Sequence, residues 1–183
     1  MTDWSALIRD HGPLVWRTVY RLLTHDADAA DCFQQTFLGA VELERRKPVQ
    51  HWPAALKRIA TARALDRLRE RYRTTKRFGE LPTDQPDRRV PETIDLAAGD
   101  ELTERLRIAL TEIDPRLAEA FCLVALEGHT YDEAAHEMNV NTNHAGVLLN
   151  RAKAELRIRL IAFSPTLTGG RSEEHTSELP SPC

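Results

Sequence analysis

The chain has 183 residues, 42% hydrophobic and 29% charged. That is enough to fill one medium core or two small ones, and it reads as a soluble globular protein. Its three cysteines, Cys32, Cys122 and Cys183, are odd in number and lack CxxC spacing, which argues against a disulfide framework or a zinc ribbon. The formal net charge of -3 does not announce a nucleic-acid binder, but a whole-chain value averages over segments of opposite sign.

No run approaches the roughly 20 apolar residues needed to span a bilayer, and the start lacks the basic and apolar stretches of a signal peptide. Membrane insertion is therefore not expected, and a cytoplasmic location is. From Trp4 to Arg77 the apolar residues recur at helical spacing, without period-two alternation or a hairpin dipeptide. Leu14, Val15, Val19, Leu22 and Leu23 form one stripe after Gly12-Pro13. Ala30, Phe33, Phe37, Ala40 and Val41 form a second after Asp26 and Asp28, acidic residues that suit a helix start. A third helix is expected after Pro53, with Leu56, Ile59, Ala60, Leu65 and Leu68 turned inward. Cys32 and Cys122 fall within apolar patterns and are expected in the core.

On the third helix Lys57, Arg58, Arg63, Arg67, Arg69, Arg71, Arg73, Lys76 and Arg77 outnumber Asp66 and Glu70. Such an excess suits phosphate contact, and Trp52 and Tyr72 could stack on exposed bases. A solvated basic face with a core tryptophan fits the same residues. On the second helix Asp31, Gln34, Gln35, Leu38 and Glu42 share the outer face, where an exposed leucine among polar groups suits a protein partner.

Residues 81–100 hold Pro82, Pro86, Pro91 and Gly99 and no apolar period, as a flexible linker does. Helical spacing resumes with Leu102, Leu106, Ile108, Leu110 and Ile113, breaks at Asp114-Pro115, and continues through Leu117, Phe121, Val124 and Leu126. Thr130 and Glu133 form a Ser/Thr-x-x-Glu capping box. Met138-Asn139-Val140 then fits a turn, with Asn139 taking the left-handed conformation, and Asn141 or Thr142 caps a further helix. There Ala145, Leu149, Ala152 and Leu156 make the inward stripe. Asn143, His144, Val147, Asn150 and Arg151 are left on other faces, the layout of a helix-turn-helix. An ordinary helical hairpin shares this local pattern.

The predicted fold class is all-α, with two small helical domains at 1–78 and 101–163 joined by a linker at 79–100. The tail at 164–183 is expected to be disordered. Residues 171–183 look like translated sequencing-adapter read-through, so the natural C-terminus is expected to be missing or altered. Nothing points to catalysis: Asp28 and Asp31 have no matching His or phosphate-binding loop. His25, His51, His129, His136 and His144 lack ligand spacing. No metal and no cofactor are expected.

Taken in order, these segments resemble the extracytoplasmic-function sigma factors of bacterial RNA polymerase from Leu7 to Leu160. Residues 27–37, reading ADAADCFQQTF, are similar to the family's polymerase-binding helix, with Asp31, Gln34 and Phe37 matching and Gln35 in place of an acidic residue. The resemblance assigns polymerase binding to Asp31, Gln34, Gln35, Phe37 and Leu38. Residues 52–69 resemble the helix that reads the minus-ten element, with Ala62 where Asn is usual. The loop at 45–51 occupies the place where a flipped base is captured. Arg45, His51, Trp52, Lys57, Arg58, Arg63 and Arg67 are the implied minus-ten contacts.

The stretches 126–135 and 151–157 resemble the module that reads the minus-thirty-five element. The implied contacts are Thr130, Tyr131, Asn141, Thr142, Asn143, His144, Val147 and Arg151. Ala145-Gly146 replaces the usual Val-Lys, and Leu148 stands where Arg is common, so this recognition helix is poor in phosphate-contacting charge. The resemblance implies core RNA polymerase and promoter DNA as partners, an anti-sigma factor as inhibitor, and no enzymatic activity. Two other readings stay open: a stand-alone helix-turn-helix regulator, and a degenerate sigma-like interaction protein.

Overall fold

The computed structural model describes residues 2–78 and 99–162. Of the linker expected over 79–100, residues 79–98 lie outside the described residues, as do residue 163 and the tail expected over 164–183. Among the described residues the regular elements are all helical, and no helix is long and apolar enough to cross a membrane.

The first unit is three helices. α1 (Trp4–Leu23) starts where the Asp3 carboxylate accepts from the Ala6 N–H, and it ends at Thr24 in the left-handed region, φ 53°. The sequence places the first apolar stripe after Gly12-Pro13, whereas α1 begins earlier and runs straight through Pro13. A mid-helix proline forfeits one backbone bond and costs about 3 kcal/mol. Burial of Leu7, Val15, Val19, Leu22 and Leu23 along one face outweighs that loss, because tertiary packing overrides local propensity.

α2 (Asp26–Arg46) begins with Asp26 and Asp28 in its first turn, where carboxylates oppose the helix dipole favourably. α3 (Trp52–Phe78) packs against both α1 and α2. Gly39 lets α2 approach α3 closely: a Cβ built there would lie 3.2 Å from Ile59 Cγ2. Leu56, Ala60, Leu65 and Leu68 fill the space between the three helices. Cys32 is buried among them, and burial pushes its thiol pKa up to about 11.

The second unit holds α4 (Gly99–Glu112), α5 (Pro115–Phe121), a π-helical continuation Cys122–Leu126, α6 (Tyr131–Met138) and α7 (Thr142–Ala162). Its first helix begins at Gly99, so the last two residues of the expected linker are helical. Asp114 caps α5 and Pro115 opens it, the arrangement a first-turn proline favours. Leu102, with which the apolar period of this helix begins, is 59% exposed. It lies at the rim of a groove beside Leu160 and Ile161 at the far end of α7, one turn beyond the point where α4 meets the core.

The two units are not splayed apart. α3 packs against α4, α5, the π-helical turn and α6, so one apolar core runs through both.

Candidate nucleic-acid and partner interfaces

On α2 the side chains of Asp31, Gln34, Gln35 and Leu38 are exposed, with Leu38 at 65%. Phe37, named with them from the sequence, is buried and meets Phe33 edge-on with ring centroids 5.1 Å apart. Its side chain braces the helix from inside and cannot reach a partner without repacking the core.

The minus-ten candidates divide into free and engaged groups. Arg45, His51 and Arg63 are exposed. Trp52 is half-buried, edge-on to Trp4 at 5.5 Å, and so stands as a packing residue at the start of α3. Lys57 Nζ donates to the Glu127 carbonyl at 2.7 Å, and Arg58 Nε donates to Glu119 Oε1 at 3.3 Å. Arg67 grips the Asp28 carboxylate and also pairs with Glu70 at 2.9 Å. Tyr72, read as a stacking platform, donates its hydroxyl to Glu104 of α4, and burial together with that carboxylate raises its pKa. Three of the six basic minus-ten candidates are thus occupied by carboxylates and a carbonyl of the same chain.

The turn of the second unit follows its chemistry closely. The Glu133 N–H donates to Thr130 Oγ1 at 3.2 Å, and the Thr130 N–H donates to Glu133 Oε2 at 2.8 Å. The Thr130 N–H and the Thr130 hydroxyl, which donates to the same Oε2 at 2.9 Å, hold the Glu133 carboxyl below its ordinary pKa. Asn139 sits at φ 54°, ψ 49°, and Asn141 Oδ1 accepts from the His144 N–H at 2.7 Å, making Asn141 the cap of α7. Thr142 Oγ1 donates to Asp132 Oδ1 at 2.6 Å, joining the first turn of α7 to the first turn of α6.

Thr130, Tyr131, Asn141, Thr142, Asn143, His144, Val147 and Arg151 are all exposed. Leu148 is buried at 7%, so the position at which arginine is common points into the core. Residues that sequence reasoning passed over are Thr18 and Arg21, which meet Glu127 of the second unit. No local signal marks them, because their partners are far away in the chain.

This arrangement has counterparts among known proteins. The model for sigma-70 region 2 matches residues 7–74, and that for sigma-70 region 4 matches residues 100–156; together they span well over half of the chain. The ECF RNA polymerase sigma factor SigE of Mycolicibacterium smegmatis (strain ATCC 700084 / mc(2)155) is 29% identical over 169 residues, covering 90% of this chain and 64% of the relative. The chain therefore spans less than two thirds of the length of that curated relative.

Among solved structures, the sigma factor RpoE of Bartonella quintana, in complex with the anti-sigma factor NepR, aligns with TM-score 0.55 at 18% identity. That match covers 90% of this chain and 100% of RpoE. CnrH in complex with the cytosolic domain of CnrY gives 0.55 at 22% identity, over 88% of this chain and 89% of the other. At these identities the likeness is one of fold. The chain, with its region 2 and region 4 in that order, belongs to the sigma-70 family.

Proposed function

We propose that this chain recruits core RNA polymerase and directs it to promoters, contributing specificity while the polymerase performs the phosphoryl transfer. The observation that carries the reading is the presence, in one chain, of two separate exposed recognition faces. One is the Asp31, Gln34, Gln35 and Leu38 strip of α2; the other is the Asn141 to Val147 turn that opens α7. An exposed leucine ringed by polar groups suits a protein partner. The start of the second helix of a helix-turn-helix suits base edges in the major groove.

In this reading the loop at 45–51 and the cations of α3 hold the melted minus-ten strand. Each contact can be weak, since binding one element raises the effective concentration of the other domain at its own element. The chain acts in the cytoplasm without cofactor or metal. An anti-sigma partner fits as its inhibitor: the fold relatives RpoE and CnrH were each solved in complex with a regulator of that kind or a cytosolic partner domain.

The test is reconstituted transcription with core polymerase and a pool of host promoter fragments. Discrete start sites that require the chain and vanish with Asp31→Arg or Gln34→Ala are expected. Specific binding to a palindromic duplex without polymerase would instead favour a stand-alone regulator. Polymerase binding without initiation would favour a degenerate interaction protein, a reading supported by the single arginine, Arg151, in the first half of α7.

A further inference from the structure

We infer that Thr2 and Trp4 are positioning residues for the minus-ten loop: they hold its two stems, one at the end of α2 and one at the start of α3, and through them set which base the loop accepts. The inference deepens the sigma-factor reading and rests on it for the task of the loop. α2 ends at Arg46 and α3 begins at Trp52, so residues 47–51 hang between two helix ends. Lys47 still donates its N–H to the Leu43 carbonyl, and the His51 carbonyl accepts from the Ala55 N–H. Between them Pro48, Val49 and Gln50 make no hydrogen bond among the described residues. Pro48 has its own φ locked by its ring, and it favours the extended backbone seen at Lys47, φ -155°, ψ 146°. Val49 and Gln50 are left to adjust, and a segment with so few bonds of its own takes its shape from where its ends are fixed.

Both ends are fixed from α1. The Trp4 ring meets the Trp52 ring edge-on, centroids 5.5 Å apart and planes at 74°, so the positive edge of one ring faces the negative face of the other. The Thr2 hydroxyl donates to the carboxylate of Glu44, two residues before the end of α2. Asp3 lies between them and caps α1 by accepting from the Ala6 N–H, which fixes the spacing of Thr2 and Trp4. Core packing alone accounts for the tryptophan pair, since both rings are half-buried against the core. It does not account for Thr2 and Glu44, a polar contact between residues 42 apart in the chain that lands on the other stem of the same loop.

The effect of such a brace falls on specificity more than on affinity. A base is discriminated by short, directional hydrogen bonds, which a small displacement of the reading loop disrupts. Phosphate contacts carry no sequence information, and the exposed cations Arg45 and Arg63 reach them with flexible side chains. The α2 strip from Asp31 to Leu38 is more than a turn away from Glu44 and keeps its place when the loop shifts.

The experiment uses the full chain with core polymerase and a promoter library randomised over the minus-ten element, with the transcripts sequenced. At each position the ratio of the most used to the least used base is read beside the total yield. Trp4→Ala is expected to lower that ratio about tenfold at one or two adjacent positions and to leave the other positions as they are. Trp4→Phe, which keeps an aromatic ring against Trp52, should restore most of it. Thr2→Val removes only a hydroxyl and should lower the same ratio about threefold; it touches no core side chain, so it carries the test even where Trp4→Ala fails to fold. A loss spread equally over all positions, or a ratio that does not change, reduces both residues to structural supports and overturns the proposal.

A nitroxide at Gln50→Cys, in the full chain carrying Cys183→Ser and with Cys32 and Cys122 buried, reads the loop without polymerase. Trp4→Ala and Thr2→Val should each sharpen its spectrum as the loop gains motion, and Trp4→Phe should not. An unchanged spectrum overturns the brace whatever transcription does. A sharpened spectrum in a chain whose parent supports no initiation upholds the brace while refuting the sigma-factor reading.

Discussion

The Arg67 guanidinium closes on a single oxygen of Asp28, with Nη2 at 2.6 Å and Nε at 2.9 Å from Oδ1. The contact ties the first turn of α2 to the middle of α3. Asp28 is buried, its side chain 12% exposed, with Arg71 a further 3.8 Å away, so the carboxylate neutralises two cations at once. Replacing Asp28 by Asn keeps the size and removes the charge. Because Arg67 remains 40% exposed, water screens part of the loss, and a destabilisation of about 1–2 kcal/mol is expected, below the range for fully buried pairs. Urea denaturation of the two proteins measures it. An unchanged midpoint would mean that the pair is incidental. Arg67→Lys should lose less, since the charge stays while the two-nitrogen grip goes.

His129 predicts a dependence on pH. Burial is the main cause that lowers its pKa from 6.5, with the Lys57 ammonium adding to the effect and the Leu123 carbonyl, Glu133 and Glu137 opposing it. The folded value is thus below the unfolded one. The unfolded chain takes up the proton first, so stability falls as pH drops below about 6.5 and levels off below the folded pKa. Unfolding midpoints should decline over that window for the parent and less steeply for His129→Gln. Acid loss of equal steepness in both proteins would assign the effect to other groups.

The parts legible in sequence are those whose cause is local. The Thr130 and Glu133 box lies within four residues, and the left-handed turn at Asn139 needs only the right residue after an apolar helix; both were readable. The inward stripes of α1 and α3 were readable because 3.6-residue periodicity survives on helices with one buried face. The inward stripe read on α7 omits Leu148, because α7 is covered by α4, α5 and α6 together and its buried arc is wider than a single stripe. Trp52 and Tyr72 were ambiguous for a different reason: amphipathic aromatics serve core and interface alike. The contact of Thr18 with Glu127 joins residues 109 apart, and no spacing rule reaches that far.

The turn of the helix-turn-helix gives a test of backbone strain. Asn139 holds φ 54°, a region that a β-branched residue enters only at a cost of about 1–2 kcal/mol. Asn139→Val should destabilise the second unit by that amount, while Asn139→Gly should be nearly neutral, gaining freedom in both states. Thr130→Ala removes the cap one helix earlier and should cost about 1 kcal/mol. Thermal melts followed by circular dichroism rank the three variants. Equal losses for the glycine and valine variants would show that the Asn139 side chain, and not its backbone angle, is what the turn requires.

The recognition helix offers a choice between two arginines. Adding Arg at Leu148 would match the residue common at that place in the family, but Leu148 is buried under the core. A guanidinium there must either break packing or leave its donors without acceptors. Leu148→Arg is therefore expected to destabilise the chain by about 2–4 kcal/mol and to weaken DNA binding through loss of the fold. Val147, one residue earlier, is 54% exposed on the side of Asn143 and Arg151. Val147→Arg should leave stability unchanged, raise affinity for duplex DNA of any sequence, and steepen the dependence of log affinity on log salt by about one. Duplex titrations at several salt concentrations, beside a melting curve for each variant, separate the two. An intact Leu148→Arg protein that gained affinity would show that α7 can rotate about its axis to present a different face to the groove.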